Sequence, residues 1–343
     1  MSSLDQGAIG ASPEVRLDAE SRLAAEYRAL RGGVGIAPLP DRIVVRVVGA
    51  DRVTFMHGMC SQDVKGLAPG AVAPALLLTE RAHLIADFLL YAEHDALLIE
   101  IEAAQWPAAR VHLERLLVAD DVEFEPLENL GVLDLEGPES HRVAAAITGT
   151  DAAAIAEWRH VRSGDLRLAH LPRFGAPAAS IIAPREILAD LTMRATADNS
   201  VTNIVIVSPA TLEILRVENG RARLGGDATD KTIALEARLN YAISFNKGCY
   251  VGQETIERAT ARGGLKKRLF GLRIDGDRAP TAGAAITLGG KEIGHLTSIV
   301  RSPRFGLIGL AIIHQSAWTV GSAVAIHDAS GEIPAAVSDL PFA

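Results

Sequence analysis

Lys247-Gly248-Cys249-Tyr250-Val251-Gly252-Gln253-Glu254 is the stretch of this 343-residue chain from which fold and function are best inferred. It contains one of only two cysteines. Residues 253–260 are of types that favour a helix, and the pair Gly263-Gly264 would end that helix. The cysteine is therefore expected just before the helix or in its first turn.

Unpaired backbone N–H groups and the positive end of the helix dipole favour an anion at such a position. Lys247 adds a positive charge there. Both effects favour the thiolate, which is the form that attacks electrophiles and ligates metals. We predict that Cys249 is a reactive thiolate supported by Lys247. The alternative is a half-buried cysteine at an ordinary glycine-bounded turn.

The composition limits the class of protein. Hydrophobic residues make up 48% of the chain and charged residues 22%, which is typical of a folded globular protein of two or three domains. A net charge of −8 argues against broad nucleic-acid binding. Two cysteines exclude a disulfide framework and fit a reducing cytosol. The start of the chain lacks a signal-peptide pattern and the apolar runs are too short to span a membrane, so we expect a cytoplasmic protein.

Hydrophobic periodicity predicts an α+β protein in which four regions follow one another. Residues 1–40 are interpreted as an N-terminal arm with a helix from Asp18 to Arg31, capped by Asp18, and then a glycine-rich turn. Residues 41–128 form a first α+β domain in which strands alternate with helices at 51–59 and 105–118. Residues 129–263 form a second α+β domain that carries the Lys-Gly-Cys stretch. Residues 264–343 contain short strands and turns, which indicate a small β-barrel or sandwich.

Acidic residues with apolar sequence neighbours are candidates for ligand binding. Asp87 lies inside an apolar strand, where it either faces a cleft or lies on an edge strand. Glu236 has apolar neighbours and must be paired or bind a ligand unless it is a solvent-facing helix residue. Asp227 follows two glycines that would present it at a turn. The histidines are scattered and Cys60 is interpreted as a core residue, so no metal site is predicted.

The Lys-Gly-Cys stretch resembles the Lys-Gly-Cys-(Tyr/Phe)-x-Gly-Gln-Glu pattern of the YgfZ family, and every position matches. That family consists of folate-binding relatives of the glycine-cleavage T-protein that assist iron–sulfur cluster assembly or repair. The resemblance extends along most of the chain. The other segments that match the family are Gly49-Ala50-Asp51, Ser61-Gln62-Asp63-Val64, Ile85-Ala86-Asp87-Phe88, Glu218-Asn219-Gly220, Leu235-Glu236, Gly294-His295-Leu296-Thr297-Ser298 and Asp339-Leu340-Pro341-Phe342.

This resemblance implies a ring of three domains, two α+β domains and a C-terminal β-barrel, around a channel for tetrahydrofolate or a derivative. Asp87 and Glu236 correspond to carboxylates with which the T-protein contacts folate. Tyr250, Gln253 and Arg258 are assigned to the folate site from their positions near the cysteine. Departures from the T-protein are a glutamate, Glu102, in place of an asparagine, Pro74-Ala75 near the channel tyrosine, and Gln253 in place of an arginine.

The leading functional expectation is a folate-binding accessory protein for iron–sulfur enzymes, with Cys249 at the mouth of the channel. Its partners would be reduced folate and iron–sulfur client or assembly proteins, with neither nucleic acid nor membrane. The alternative is an aminomethyltransferase of the T-protein type with Asp87 as its key group. A third possibility is a non-catalytic docking module whose folate site regulates partner binding.

Overall fold

The computed structural model describes residues 13–175, 177–198, 203–261 and 264–343, with side chains from residue 21 onward. The helices within these ranges are α1 (Pro13–Gly32), α2 (Arg52–Met59), α3 (Trp106–Leu116), α4 (Ser140–Thr148), α5 (Arg185–Thr196), α6 (Pro209–Glu218) and α7 (Gln253–Ala261). The strands are β1 (Val34–Pro38), β2 (Arg42–Val48), β3 (Val72–Leu78), β4 (Leu84–Ala92), β5 (Leu97–Glu102), β6 (Glu123–Pro126), β7 (Leu130–Glu136), β8 (Arg159–Ser163), β9 (Leu166–His170), β10 (Ala178–Pro184), β11 (Ile204–Ile206), β12 (Lys267–Ile274), β13 (Ala285–Leu288), β14 (Lys291–Ser302), β15 (Gly306–His314), β16 (Ala323–Asp328) and β17 (Gly331–Ser338).

The first sheet is antiparallel, with the strand order β3-β4-β5-β2-β6. Alternate residues of β2, β4 and β5 point into a core that is covered by α2 and α3. Phe55 and Met56 of α2 and Trp106 and Leu113 of α3 fill this core. The elements agree with the sequence prediction for residues 41–128 to within a few residues at each end.

The second sheet has the order β11-β1-β7-β10-β9-β8, in which only the β1–β11 pair is parallel among the described strands. β1 comes from the region predicted as an N-terminal arm with a glycine-rich turn, so that prediction is wrong for residues 34–38. Gly35 explains the difference: a Cβ there would lie 2.4 Å from Leu30 Cδ2, so glycine lets α1 pack closely on β1.

Two other boundaries differ from the prediction. α1 already includes Pro13, so Asp18 lies inside the helix and is not its N-cap. The physical reason is that the residues before Asp18 include good helix formers such as Glu, Arg and Leu. Gly263, predicted to end α7 and to mark the barrel boundary, lies outside the described residues.

The C-terminal region is a closed six-stranded barrel of order β12-β15-β14-β13-β16-β17. Its interior is filled by alternate apolar residues from its strands. α6 packs against the outside of the barrel through Val217, which meets Leu269, Ile308, Leu310 and Phe342. The barrel expectation is confirmed.

Residues 219–252 connect α6 to α7 and contain one short 3₁₀ turn at Asn240–Ala242. The sequence assigns this connection to the second domain, but its apolar residues pack on the first sheet. They form one cluster with β3 and the start of β4: Leu76, Leu78, Ala82, Leu84, Ala228, Ala234, Leu235, Ala237, Leu239, Ala242, Ile243 and Ile256. The hydroxyl of Ser61 donates to the Ala242 carbonyl at 2.6 Å and fixes this contact.

The first sheet, the second sheet and the C-terminal barrel, each with its packed helices, form a ring around a central space. The two sheets share an apolar cluster made of Val44, Val72, Tyr91, Leu98, Leu130, Val132, Ala169, Leu171 and Ile182. The Leu269 N–H of the barrel donates to the Glu236 carbonyl at 2.7 Å and so joins the barrel to the connection 219–252. No helix among the described residues is long and apolar enough to cross a membrane.

A buried ion pair holds α6, the connection and the barrel together. Arg216 of α6 donates to Asp227 Oδ2 at 2.6 Å, and their side chains are 7% and 0% exposed. Ser298 of β14 donates to Asp227 Oδ1 at 2.7 Å and accepts from Arg216 at 2.6 Å. Asp227 is therefore a buried structural residue and does not project from its turn into solvent.

We predict that Asp227→Asn lowers the free energy of unfolding by about 3 kcal/mol, because it removes the fully buried carboxylate partner of Arg216 and leaves only the partly exposed Glu213 to balance its charge. Chemical denaturation followed by circular dichroism measures this loss. The matched control is Asp190→Asn, since Asp190 pairs with Arg194 at 3.5 Å on the surface with both side chains more than half exposed. The control should change stability by less than about 1 kcal/mol. Equal losses in the two variants would contradict the prediction.

Candidate functional site

A cavity of about 280 Å³ lies where the first sheet, the second sheet, α6 and the connection 219–252 meet. This volume is close to the lower end of the range for small-molecule sites, roughly 300–1,000 Å³. Its apolar walls come from all of these parts and include Leu39, Pro74, Leu76, Phe88, Trp158, Leu171, Phe174 and Leu212. A small number of charged and polar groups interrupt those walls.

The carboxylates of Asp87 and Glu102 line the cavity on the side of the first sheet, in addition to that of the exposed Asp41 just before β2. One amide holds Asp87 and Glu102: Gln105 Nε2 donates to Asp87 Oδ1 at 2.9 Å and to Glu102 Oε2 at 3.3 Å. Gln105 Oε1 also accepts the Asp87 N–H at 2.9 Å. Neither Asp87 nor Glu102 has an ion-pair partner among the described residues, so both are available to N–H donors or a cation in the cavity.

Arg221 and Tyr241 lie on the cavity wall formed by the connection 219–252. Arg221 Cζ is 4.4 Å from the centroid of the Tyr241 ring, a cation–π arrangement. The pKa of Tyr241 is raised above its usual value; desolvation is the main cause, Arg221 opposes it and Asp87 reinforces it. These interactions place the phenol within electrostatic range of the Asp87 side of the cavity.

Arg173 lines the cavity on the side of the second sheet, and its guanidinium is paired with two buried carboxylates. It lies 2.9 Å from Glu100 Oε1 and 2.5 Å from Asp134 Oδ2. Arg42 also pairs with Glu100, at 2.5 Å. Although burial opposes ionisation of Glu100, the two arginines hold its pKa below the usual value. This charge network therefore stabilises the wall and leaves little capacity for a ligand.

The Lys247 ammonium is engaged by backbone carbonyls. It donates to three carbonyls at the end of α2: that of His57, that of Cys60 at 2.8 Å and that of Gln62 at 2.9 Å. Burial lowers the pKa of Lys247. The predicted role of Lys247 as charge partner of the thiol therefore has no support in this geometry, because its donors satisfy the carbonyls that a helix C-terminus leaves free.

Cys249 is exposed. α7 begins at Gln253, four residues further along the chain, so the sulfur is outside the first helical turn. Gly252 makes the tight turn between them: its φ is +90°, and a Cβ there would lie 2.7 Å from the Thr79 carbonyl oxygen. Among the described residues that line the cavity, Cys249 is absent. The thiol is thus presented to solvent.

Three residues predicted to bind folate lie around α7 and outside the cavity lining. Gln253 accepts the Tyr250 N–H at 3.3 Å and donates to Glu257 at 2.6 Å. Arg258 donates to the Glu254 carbonyl at 3.3 Å on the exposed side of α7. Tyr250 lies under the Lys247 ammonium at 4.8 Å from its ring centroid, and burial raises its pKa to about 12. Their observed contacts are local ones that shape the Lys-Gly-Cys stretch.

Glu236 also lies outside the lining of the cavity. Its carboxylate accepts the Ile233 N–H at 3.1 Å, which closes a local turn. Of the residues predicted for the site, the cavity lining thus includes Asp87 and does not include Glu236, Cys249 or Lys247. No group of three or more metal-ligating side chains occurs among the described residues.

Comparison with known proteins identifies the chain's relatives. The family model described as the GCVT N-terminal domain matches residues 13–247, and the glycine cleavage T-protein C-terminal barrel domain matches residues 267–343. The chain belongs to the GCVT family. The more specific YgfZ affiliation stays a prediction, because residues 248–266, with Cys249, lie between the two matched ranges.

The relatives of this chain match along most of their own length. An aminomethyltransferase of Rubrobacter xylanophilus is 26% identical over 93% of this chain and 86% of its own. A putative chloroplastic transferase of Arabidopsis thaliana is 27% identical over 92% of this chain and 72% of its own. The crystal structure of the glycine cleavage system aminomethyltransferase T from Bartonella henselae has a TM-score of 0.86 at 22% identity, over 94% of this chain and 89% of its own. That likeness confirms the GCVT-type fold.

Sequence reasoning missed two residues that line the cavity of this GCVT-family chain, Arg221 and Tyr241, and also Gln105, which holds the cavity carboxylates Asp87 and Glu102. Gln105 was assigned only to the start of a helix, and its spacing of three from Glu102 was a usable signal. Arg221 and Tyr241 are separated by 20 positions without regular structure between them. No local sequence pattern links two residues so far apart. Only the folded structure shows that Arg221 lies over the Tyr241 ring.

We predict that a thiol reagent such as dithionitrobenzoate modifies one cysteine of the native protein, Cys249, and reaches Cys60 only on unfolding. Cys60 is fully buried and burial raises the pKa of its thiol, so its reaction should be slower by roughly a hundredfold or more. Absorbance and peptide mass spectrometry follow the modification. Cys249→Ser should abolish the native reaction, and fast labelling of Cys60 in the native protein would refute the placement.

Proposed function

We propose that this protein binds a reduced folate in the central cavity and acts as a folate-dependent one-carbon transferase of the aminomethyltransferase type. One observation carries the proposal: Asp87 lies on the wall of the cavity without an ion-pair partner among the described residues and is held in place by Gln105. Membership of the GCVT family and the names of the relatives support this choice over the iron–sulfur role.

The residues present fit a reduced folate. A pteridine ring is flat, largely apolar on its faces and rich in N–H donors at its edge. The apolar walls suit its faces, and the carboxylates of Asp87 and Glu102 suit its donors. Arg221 supplies positive charge for the carboxylates of the glutamate tail. The same cavity would therefore hold both ends of the ligand.

When bound, tetrahydrofolate supplies the nitrogen atoms that accept a one-carbon unit. The chain itself orients the ligand and controls charge. The carboxylate of Asp87 can accept a hydrogen bond or a proton from an N–H group or stabilise positive charge near it. Gln105 Nε2 donates to this carboxylate and Gln105 Oε1 accepts the Asp87 backbone N–H, so the two residues hold each other in one orientation. The apolar walls exclude water and strengthen that interaction.

The second candidate is an accessory role in iron–sulfur cluster assembly or repair. The observation in its favour is the exposed thiol of Cys249 within a stretch that matches the YgfZ pattern. A thiol on the surface is accessible to a partner protein, whereas the cavity is reached by small ligands. Under this candidate the folate site and the thiol are separate parts of one function.

We predict that Asp87→Asn lowers the affinity for tetrahydrofolate by about 10–100-fold, because it removes a charged hydrogen-bond acceptor from the cavity. Isothermal titration under anaerobic conditions measures this change. The matched control is Glu236→Gln, which neutralises a carboxylate outside the cavity and should leave the affinity within about twofold of wild type. Absence of binding to the wild-type protein, or a larger effect of the control, would overturn the proposal.

The two candidate functions differ in their dependence on Cys249. In the transferase assay, a carrier protein whose reduced lipoyl arm bears an aminomethyl group on sulfur should react with tetrahydrofolate to yield methylenetetrahydrofolate, ammonia and the carrier with its free dithiol. We predict that Cys249→Ala retains this activity within about twofold, because the thiol lies outside the cavity, while Asp87→Asn loses most of it. Inactive wild-type protein, together with loss of cluster-enzyme maturation in Cys249→Ala, would instead favour the accessory role.

A further inference from the structure

The charges of the central cavity are separated between its walls. Asp87 and Glu102 provide two carboxylates on the first sheet, and neither has an ion-pair partner among the described residues. On the connection 219–252, Arg221 has no carboxylate within ion-pair distance in the described part of the chain. Its side chain is engaged by the Tyr241 ring. The cavity thus offers acceptors at one wall and an uncompensated cation at another.

Arg223 provides a comparison two positions further along the chain. It lines the same cavity, but its guanidinium pairs with Glu213 at 2.8 Å. Arg216, the next cation of this wall, is fully engaged with Asp227, Ser298 and Glu213. Arg216 and Arg223 therefore each have a carboxylate partner, whereas Arg221 has none among the described residues.

The Tyr241 ring is what orients Arg221. The Arg221 guanidinium lies over the ring face and also hydrogen-bonds the Tyr241 side chain, and the remaining donors of its five-donor fork have no carboxylate partner among the described residues. Fixing the side chain in advance also lowers the entropic cost of binding an anion. A planar guanidinium with free donors is suited to bidentate binding of a carboxylate.

We propose that Arg221, stacked on Tyr241, is a specificity-determining residue that binds the carboxylate-bearing tail of the ligand. The inference rests on the proposed function, in which the cavity takes a reduced folate, and adds that the cavity selects folates with a glutamate tail over reduced pterins without one. Asp87 and Glu102, on the wall formed by the first sheet, bind the donor-rich pterin end. Ligand orientation follows from this separation of charge.

The test compares two probes: tetrahydrofolate, which has the glutamate tail, and 6-methyltetrahydropterin, which lacks it. The wild-type protein should bind tetrahydrofolate at least about tenfold more tightly than the tail-free pterin. Arg221→Gln should reduce tetrahydrofolate affinity by about tenfold or more and leave pterin affinity within about twofold. The selectivity ratio of the variant should therefore approach one.

Arg223→Gln is the matched control, since it removes an arginine from the same wall whose charge is already compensated by Glu213. It should change both affinities by less than about threefold. Thermal unfolding shows whether Arg221→Gln is folded. A further measurement needs only the wild-type protein: raising the salt concentration should weaken binding of tetrahydrofolate and leave that of the tail-free pterin nearly constant.

The failure of this inference differs from the failure of the proposed function. If the wild-type protein binds both probes equally tightly and without salt dependence, or if Arg221→Gln weakens both equally, Arg221 does not select the tail and the folate site stands. If the wild-type protein binds neither probe, the folate site and the tail selection are both overturned.

Discussion

The buried pair of Arg216 and Asp227 is the interaction on which the arrangement of the molecule depends. α6, the connection 219–252 and the barrel each contribute a group to it, through Arg216, Asp227 and Ser298. Desolvation of the two charges costs energy that only close pairing and additional hydrogen bonds offset. The pair therefore tolerates little displacement, and it fixes the wall of the cavity from which Arg221 projects.

The cavity derives its polarity from the meeting of independent parts. The first sheet contributes the carboxylates of Asp87 and Glu102, while the irregular connection contributes Arg221 and Tyr241. Arg173, on the second sheet, is neutralised by its own buried partners. As a result the free charges have opposite sign on different walls, which suits a ligand with donors at one end and an anion at the other.

The Lys-Gly-Cys stretch has two distinct physical roles. Lys247 binds the carbonyls that end α2, and Tyr250 covers its ammonium, so these residues attach the stretch to the first sheet. Gly252 turns the chain into α7 at a positive φ that other residues adopt only with strain. Cys249 is exposed between them. Lys247 therefore fixes the segment that presents the thiol, because its ammonium donates to backbone carbonyls at the end of α2.

The sequence by itself determined the α+β class, most helix and strand positions, the barrel and the kinship with the T-protein, because hydrophobic periodicity and short motifs are local signals. For Asp87 it left two interpretations open, a residue facing a cleft or one on an edge strand, and the structure places Asp87 on the cavity wall. Only the tertiary structure decided that Glu236 closes a local turn, that Lys247 serves α2 and that Arg221 stacks on Tyr241. The reason is that these contacts join segments without periodicity, whose partners are set by packing between distant parts of the chain.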